Sequence, residues 1–333
     1  MTEKIGVIGA GAWGTALAML LCDKGHDVTL WMYEKDLADE TAKTRENRVY
    51  LPGFKLAPGI NVTSSLEAAV RNKALVLSVA PSHTVRTVTK ELAPFLSTNT
   101  IIASASKGIE LDTLMPLSDV FRDVLPKQFH NRLCFLSGPS FAKEVAQQMP
   151  TAVALASYDP QVGRKAQEIF SNAYFRVYTN PDVIGVELGG SLKNVVAIAA
   201  GVLEGMGMGY NTMAALLTRG LAEMARLGVA MGANLQTFSG LAGMGDLVLT
   251  CTGGLSRNRT LGTRLGKGEK LSDILGGMKA VAEGDKTAKA ARDLARKYNV
   301  DMPIVDEVYQ LLYEGKAPKQ AVNDLMSREL KGE

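Results

Sequence analysis

The strand-like run KIGVIG (4–9) passes directly into GAGAWGTALA, so Gly9, Gly11 and Gly14 form a G-x-G-x-x-G at the junction of a strand and a helix. Three glycines at this spacing are a weak signal alone. Here each has a physical role. Gly9 permits the tight turn, Gly11 lets backbone approach a pyrophosphate, and Gly14 lets the helix pack closely on the strand. The helix start then offers unpaired N–H groups and the positive end of its dipole to phosphates. One early lysine followed by apolar residues also fits a secretory leader. The glycines interrupt the run, however, and no small-residue cleavage site follows.

Such a turn demands a sheet to hold it, and the pattern supplies one. DVTLWM (27–32), ALVLSVA (74–80), TIIASAS (100–106), LCFLS (133–137), TAVALAS (151–157) and FRVYT (175–179) read as strands, with helical stretches between them. Near-continuous apolar strands alternating with helices indicate a mostly parallel sheet covered on both faces. After Asn180-Pro181, helical segments take over, roughly at 183–204, 212–231, 257–267, 286–298 and 304–314. The expected architecture is an α/β Rossmann-type doubly wound domain over 1–180 followed by an all-α domain over 181–333. The 183–205 stretch is apolar, but Glu187, Lys193 and Asn194 lie inside it, where hydrocarbon would penalise them.

Composition removes several function classes. Net charge is +3 with no basic run, which gives no case for nucleic acid or a polybasic membrane patch. Cys22, Cys134 and Cys251 are few and far apart, which suits a reducing cytoplasm rather than a disulfide framework. His26, His83 and His130 make no pair at metal-ligand spacing, so no metal is expected.

Glu34 lies twenty residues beyond Gly14, just past the second strand. An acid there hydrogen-bonds the ribose 2′-hydroxyl of NAD and repels a 2′-phosphate. Lys35, next to it, suits the phosphate of NADP, so both cofactors stay open at this point. Loops at the strand carboxyl ends should line the cleft. They are APSH (80–83), SKGIE (106–110) and SGPSFAKE (137–144). Lys107 is placed to face an anion. His83 is a candidate cofactor contact, with a structural role as the alternative.

In SLKNVVAIAAG (191–201), a helix puts Gly189, Gly190 and Ala197 beside Lys193. That stripe has little side-chain bulk, so a flat ring or small substrate is expected to approach a single ammonium. Glu187, Ser191 and Asn194 share a neighbouring stripe and are expected to orient the site. Hydride delivered to a ketone creates an alkoxide, and a positioned lysine can supply the proton; burial and nearby cations ease that exchange. Further on, Gly240, Gly243 and Gly245 precede Asp246. SRNR then sets Ser256, Arg257, Asn258 and Arg259 at a probable helix start. Ser256 is a good N-cap, and a helix N-terminus with arginine suits phosphate oxygens.

GAGAWGTALA, SKGIE, SGPSFAKEV, KNVVAIAAG, TRGLAEMARLG, GLAGMGDLVLTC and SRNR occur in order from residue 9 to 259, with further similarity at AVAEG (280–284). Together they resemble NAD(P)-dependent glycerol-3-phosphate dehydrogenase of the bacterial soluble type. The resemblance implies reversible reduction of dihydroxyacetone phosphate to sn-glycerol 3-phosphate, phospholipid supply and a homodimer. It implies Lys193 as proton acceptor in the oxidation direction. Lys107, Gly138, Ser140, Asp246, Ser256, Arg257 and Asn258 would hold substrate. Trp13, Lys107, Ala142, Arg257, Val281 and Glu283 would approach the cofactor. Many bacterial members carry arginine after the second strand; this chain has WMYEKD (31–36), closer to the NAD-using eukaryotic form. Two other readings remain beside it: a β-hydroxyacid dehydrogenase or ketoacid reductase, and a catalytically silent nucleotide sensor.

Overall fold

Alternating apolar strands build a single sheet. The computed structural model describes residues 2–277, 283–330 and 332. Its strands are β1 (Lys4–Ile8), β2 (Asp27–Trp31), β3 (Ile60–Thr63), β4 (Leu75–Ser78), β5 (Ile101–Ser104), β6 (Leu133–Ser137), β7 (Thr151–Ser157) and β8 (Phe175–Asn180). They lie in the order β3-β2-β1-β4-β5-β6-β7-β8. Neighbours from β3 to β6 are parallel, β7 runs antiparallel to β6, and β8 is parallel to β7. β3 was not expected from the sequence. It is an edge strand, INVT, in which only Ile60 is buried, so it has no apolar run to read.

The connecting helices are α1 (Ala12–Asp23), α2 (Lys35–Thr44), α3 (Leu66–Val70), α4 (Val85–Leu92), α5 (Leu117–Val124), α6 (Ala142–Ala146) and α7 (Pro160–Phe170). Successive strand side chains point to opposite faces. On β4, Leu75 and Leu77 therefore join the core beneath Leu17, Leu21 and Phe170, whereas Val76 joins Ala69, Val88 and Leu92 on the other face. This two-sided burial is why the strands read as continuous apolar runs. His26 ties the α7 end to the sheet: its Nδ1 accepts from Glu3 N–H at 3.1 Å, and its Nε2 lies 3.1 Å from the Ile169 carbonyl.

The second unit is helical, with no strand among its described residues. It contains α8 (Val183–Gly205), α9 (Tyr210–Ala230), α10 (Leu235–Phe238), a π-helical turn at Leu241–Gly245, α11 (Asp246–Thr252), α12 (Arg257–Gly266), α13 (Leu271–Gly277), α14 (Glu283–Lys297), α15 (Pro303–Tyr313) and α16 (Pro318–Met326). The division of the chain falls inside α8, between Glu187 and Leu188, rather than at 180. The first turns of α8 belong with the sheet, where Glu187 Oε1 accepts the Ser118 N–H at 2.9 Å. Gly108–Leu114 belongs to the helical unit, held by Gly108 N–H donating to Ser191 Oγ at 2.9 Å. From α9, the buried Glu223 accepts the N–H groups of Ile304 at 2.8 Å and Val305 at 3.2 Å, capping α15. Burial pushes its carboxyl up to about 7, against the opposing pull of those two donors.

α8 is long and apolar enough to span a bilayer by length, but 83% of its apolar window is buried within the protein. It packs on α12 through backbone. A Cβ on Gly201 would lie 2.0 Å from the Arg259 carbonyl oxygen, and one on Gly262 2.0 Å from that of Ile198. Gly205 and Gly266, one turn further along each helix, meet Thr263 and Val202 carbonyls at 2.3 Å in the same sense. Repetition at four residues keeps the contacts on one face of each helix.

Gly262→Ala therefore forces the two helices apart. Overpacking of this kind costs about 1–3 kcal/mol, to be read from urea unfolding followed by circular dichroism. Gly254→Ala is the control, since a Cβ there meets nothing within 4 Å. Equal midpoints for the two variants would contradict the close-packing account.

Candidate active site

The glycine turn sits at the carboxyl end of β1, which lies between β2 and β4. Here the strand order reverses, and open α/β sheets bind ligands at such a point. Gly9 has φ +109°, which excludes other residues without strain, and a Cβ on Gly14 would lie 1.8 Å from the Gly9 carbonyl oxygen. Gly11 is the N-cap of α1 and supplies no side-chain cap; a Cβ there would meet nothing within 4 Å. With no N-cap side chain meeting the first N–H groups of α1 and open space at Gly11, this cradle fits a pyrophosphate. Trp13 is partly buried against the core in the first turn of α1.

Sequence reasoning missed the residue that fixes this turn. Asn47, fully buried, donates from Nδ2 to the Ala10 carbonyl at 2.8 Å and to Thr15 Oγ1 at 2.9 Å. Its Oδ1 accepts the Tyr50 N–H at 3.2 Å. Tyr50 in turn hydrogen-bonds Glu34, and burial followed by that carboxylate pushes its phenol above the usual range. Glu34 stands exposed at the start of α2, beyond the end of β2. Lys35 is paired with Asp39, one helical turn on, at 2.5 Å. An asparagine in a polar loop carries no periodicity, so nothing local marks Asn47.

The other expected loops lie at the carboxyl ends of neighbouring strands. His83 is exposed in the 3-10 turn Ser82–Thr84 after β4. Ser106 Oγ donates to the Ala80 carbonyl at 2.6 Å, linking the β4 and β5 loops. The Gly138 carbonyl after β6 accepts from Lys107 Nζ at 3.4 Å and from Ser140 Oγ at 3.0 Å. Lys107, Gly138 and Ser140 are thus brought together within the sheet unit. Ala142 begins α6 and packs against the core.

In the helical unit Lys193 is buried at 6% exposure and ion-paired with Asp246 at 1%. Its Nζ also donates to Thr250 Oγ1 at 2.7 Å. Thr250 donates in turn to the Asp246 carbonyl at 2.6 Å, one turn back along α11. The ammonium, expected as the only reactive group on its stripe, is held by a carboxylate and a hydroxyl. Of the residues expected to orient the site, Glu187 accepts the Ser118 N–H and Ser191 accepts the Gly108 N–H. The small-residue stripe is not left open at Gly189, where a Cβ would lie 2.4 Å from the Ala242 carbonyl oxygen of the π-helical turn. Asp246 and Thr250 share a face at i, i+4, a spacing readable in the sequence once Asp246–Thr252 is recognised as helix. Cys251 beside them is buried, and burial pushes its thiol up to about 12, far from thiolate chemistry at neutral pH.

At the start of α12, Ser256 Oγ accepts the Arg259 N–H at 3.2 Å as the N-cap. The two arginines then part. Arg259 donates to Glu204 at 2.6 Å, bracing α12 on α8, while Arg257 is exposed. Asn258 is buried, and its Oδ1 accepts the Gly284 N–H at 3.0 Å. Glu283 is the first residue of α14 and is half-buried. Val281, expected near the cofactor, lies outside the described residues.

A glycine turn at a sheet's switch point, with a helical unit that buries a lysine–aspartate pair, defines a two-part dinucleotide-dependent dehydrogenase architecture. The chain belongs to the NAD-dependent glycerol-3-phosphate dehydrogenase family. Residues 4–163 match the model of that family's N-terminus, and residues 182–323 match that of its C-terminus. A glycerol-3-phosphate dehydrogenase [NAD(P)+] of Geobacter metallireducens is 59% identical over 333 residues, covering 100% of this chain and 99% of the relative. The crystal structure of glycerol-3-phosphate dehydrogenase from Coxiella burnetii superposes with a TM-score of 0.93 at 39% identity, covering 98% of this chain and 99% of that one. A ketopantoate reductase from Ralstonia eutropha gives a TM-score of 0.60 at 15% identity, covering 96% and 99%; this likeness shows a shared fold alone.

The buried pair makes a stability prediction. Removing one partner leaves an uncompensated buried charge, so Asp246→Ala should lose about 3–5 kcal/mol. The double variant Lys193→Met/Asp246→Leu removes both charges and should lose less. Denaturant titration compares them. A double variant less stable than Asp246→Ala would contradict the pairing.

Proposed function

We propose that the protein reduces dihydroxyacetone phosphate to sn-glycerol 3-phosphate, reversibly, at a site where Lys193 moves the proton. The observation that carries this reading is the buried Lys193 ammonium held by Asp246 and Thr250. The nicotinamide cofactor, when bound, supplies the hydride for reduction and accepts it in oxidation. Hydride adds to the carbonyl carbon, the C=O π pair moves to oxygen, and the alkoxide takes a proton from Lys193. In the reverse direction the neutral amine takes the hydroxyl proton. Asp246 and Thr250 fix where Nζ sits, so little reorganisation is needed at the moment of transfer.

The remaining roles follow the family resemblance, except those of Gly9, Gly11, Gly14, Glu34, Lys35 and His83, which rest on the residues themselves. Lys107, Gly138, Ser140, Asp246, Ser256, Arg257 and Asn258 hold substrate. Gly9, Gly11, Trp13, Gly14, Glu34, His83, Lys107, Ala142, Arg257, Val281 and Glu283 serve the cofactor, with Lys35 beside the ribose acid. An exposed arginine at a capped helix start supports recognition of phosphate, because a guanidinium and the first helical N–H groups together suit several oxygens. Glu34 with its Tyr50 partner, and the engagement of Lys35 by Asp39, support use of NADH at least as well as NADPH. The same reading takes the enzyme as a cytoplasmic homodimer that supplies the glycerol phosphate backbone of phospholipids.

The test is a spectrophotometric assay with dihydroxyacetone phosphate, comparing NADH with NADPH. Turnover should be clear with both, and NADH should serve at least as well. Lys193→Ala should lower turnover by roughly 10²–10⁴-fold while leaving NADH binding intact. Near-normal turnover in a folded variant would remove Lys193 from the chemistry.

Arg257→Ala separates substrate classes. It should lower kcat/KM for dihydroxyacetone phosphate by at least about 30-fold, the low end for truncating one member of a charge pair that substrate binding takes out of water. Unphosphorylated dihydroxyacetone should be a poor substrate that the change barely worsens. Equal losses with both compounds, at unchanged thermal stability, would move Arg257 away from phosphate binding.

A further inference from the structure

The first N–H groups of a helix have no partner inside the helix and need one elsewhere. On α14 the N–H of Lys286 is met locally by Asp285 Oδ1 at 2.6 Å. That of Gly284 is met from another helix, by Asn258 Oδ1 at 3.0 Å. The donor settles which way the Asn258 amide points, because an NH₂ facing an N–H would repel it. The approach is close on all sides. A Cβ on Gly284 would lie 2.7 Å from Asn258 Oδ1, 2.8 Å from the Asn194 carbonyl oxygen and 2.9 Å from Ile198 Cδ1. The start of α14 is therefore seated against the first turn of α12 and the residue after Lys193.

We propose that Asn258 is a positioning residue for the cofactor as well as a neighbour of the substrate phosphate. Its carbonyl end holds Gly284, and hence Glu283 one residue before it, while its NH₂ end remains a donor for a phosphoryl oxygen. One amide then links the anion end of the site to the residue that begins α14. This rests on the reading of Glu283 as a cofactor contact, and the experiment separates the two.

Dissociation constants for NADH are measured by fluorescence titration without substrate, for wild type, Asn258→Ala, Glu283→Ala and the double variant. Amide exchange at residues 284–286 is followed in parallel, with Asn258→Asp added because it keeps the acceptor oxygen. Asn258→Ala should speed exchange there, and Asn258→Asp should not. Asn258→Ala should also weaken NADH binding by about 3- to 10-fold, the worth of a net hydrogen bond. If Asn258 acts through Glu283, the double variant should bind NADH no worse than Glu283→Ala alone. Unchanged exchange in Asn258→Ala would overturn the latch, and additive losses in the double variant would overturn its action through Glu283. If Glu283→Ala binds NADH normally, the cofactor reading of Glu283 fails, and with it the proposed coupling, while the exchange contrast still decides whether Asn258 seats α14.

Discussion

Backbone contact between α8 and its neighbours is the constraint on which the helical unit depends. Gly201 and Gly262 let α8 and α12 meet without intervening side chains, and Gly189 does the same for the π-helical turn before α11. Side chains between these helices would set their spacing by rotamer and volume. Backbone against backbone sets it by hard contact, with far less room to adjust. Lys193 on α8, Asp246 and Thr250 on α11, and Asn258 on α12 are positioned by that spacing.

Charge is used in two ways within this frame. Lys193 and Asp246 are both withdrawn from water and satisfy each other, with Thr250 completing the set. A buried pair of this kind adds little net stability over an apolar one, so its value lies in holding an ammonium at one place. Arg259 is tied to Glu204 and braces the helix pair, whereas Arg257, two residues earlier, stands in solvent at the helix start. Two arginines in one tetrapeptide therefore differ in setting, one braced between helices and one open to solvent.

The sheet unit repeats this division between frame and function. Apolar β1, β4, β5 and β6 are buried and fix where their carboxyl-end loops emerge. The loops carry the polar groups, and hydrogen bonds between loops hold them: Asn47 to Ala10, Ser106 to Ala80, Lys107 to Gly138. Parallel strands place all these ends on one edge.

Local sequence was enough for the glycine turn, the apolar strands, the change to helices after 180 and the capped start at Ser256. These are matters of φ, period and capping, and each is written within about one turn or strand of chain. The ordered set of motifs likewise identified the family. Everything else waited on tertiary packing. The stripe beside Lys193 reads as open space because a sequence gives side-chain size but not the neighbour that fills it, which at Gly189 is the Ala242 carbonyl. Asn47 gave no signal because the two groups its amide nitrogen holds lie 32 and 37 residues away. Lys193 meets Asp246 across 53 residues, and only the packing of α8 against α11 could set that pair.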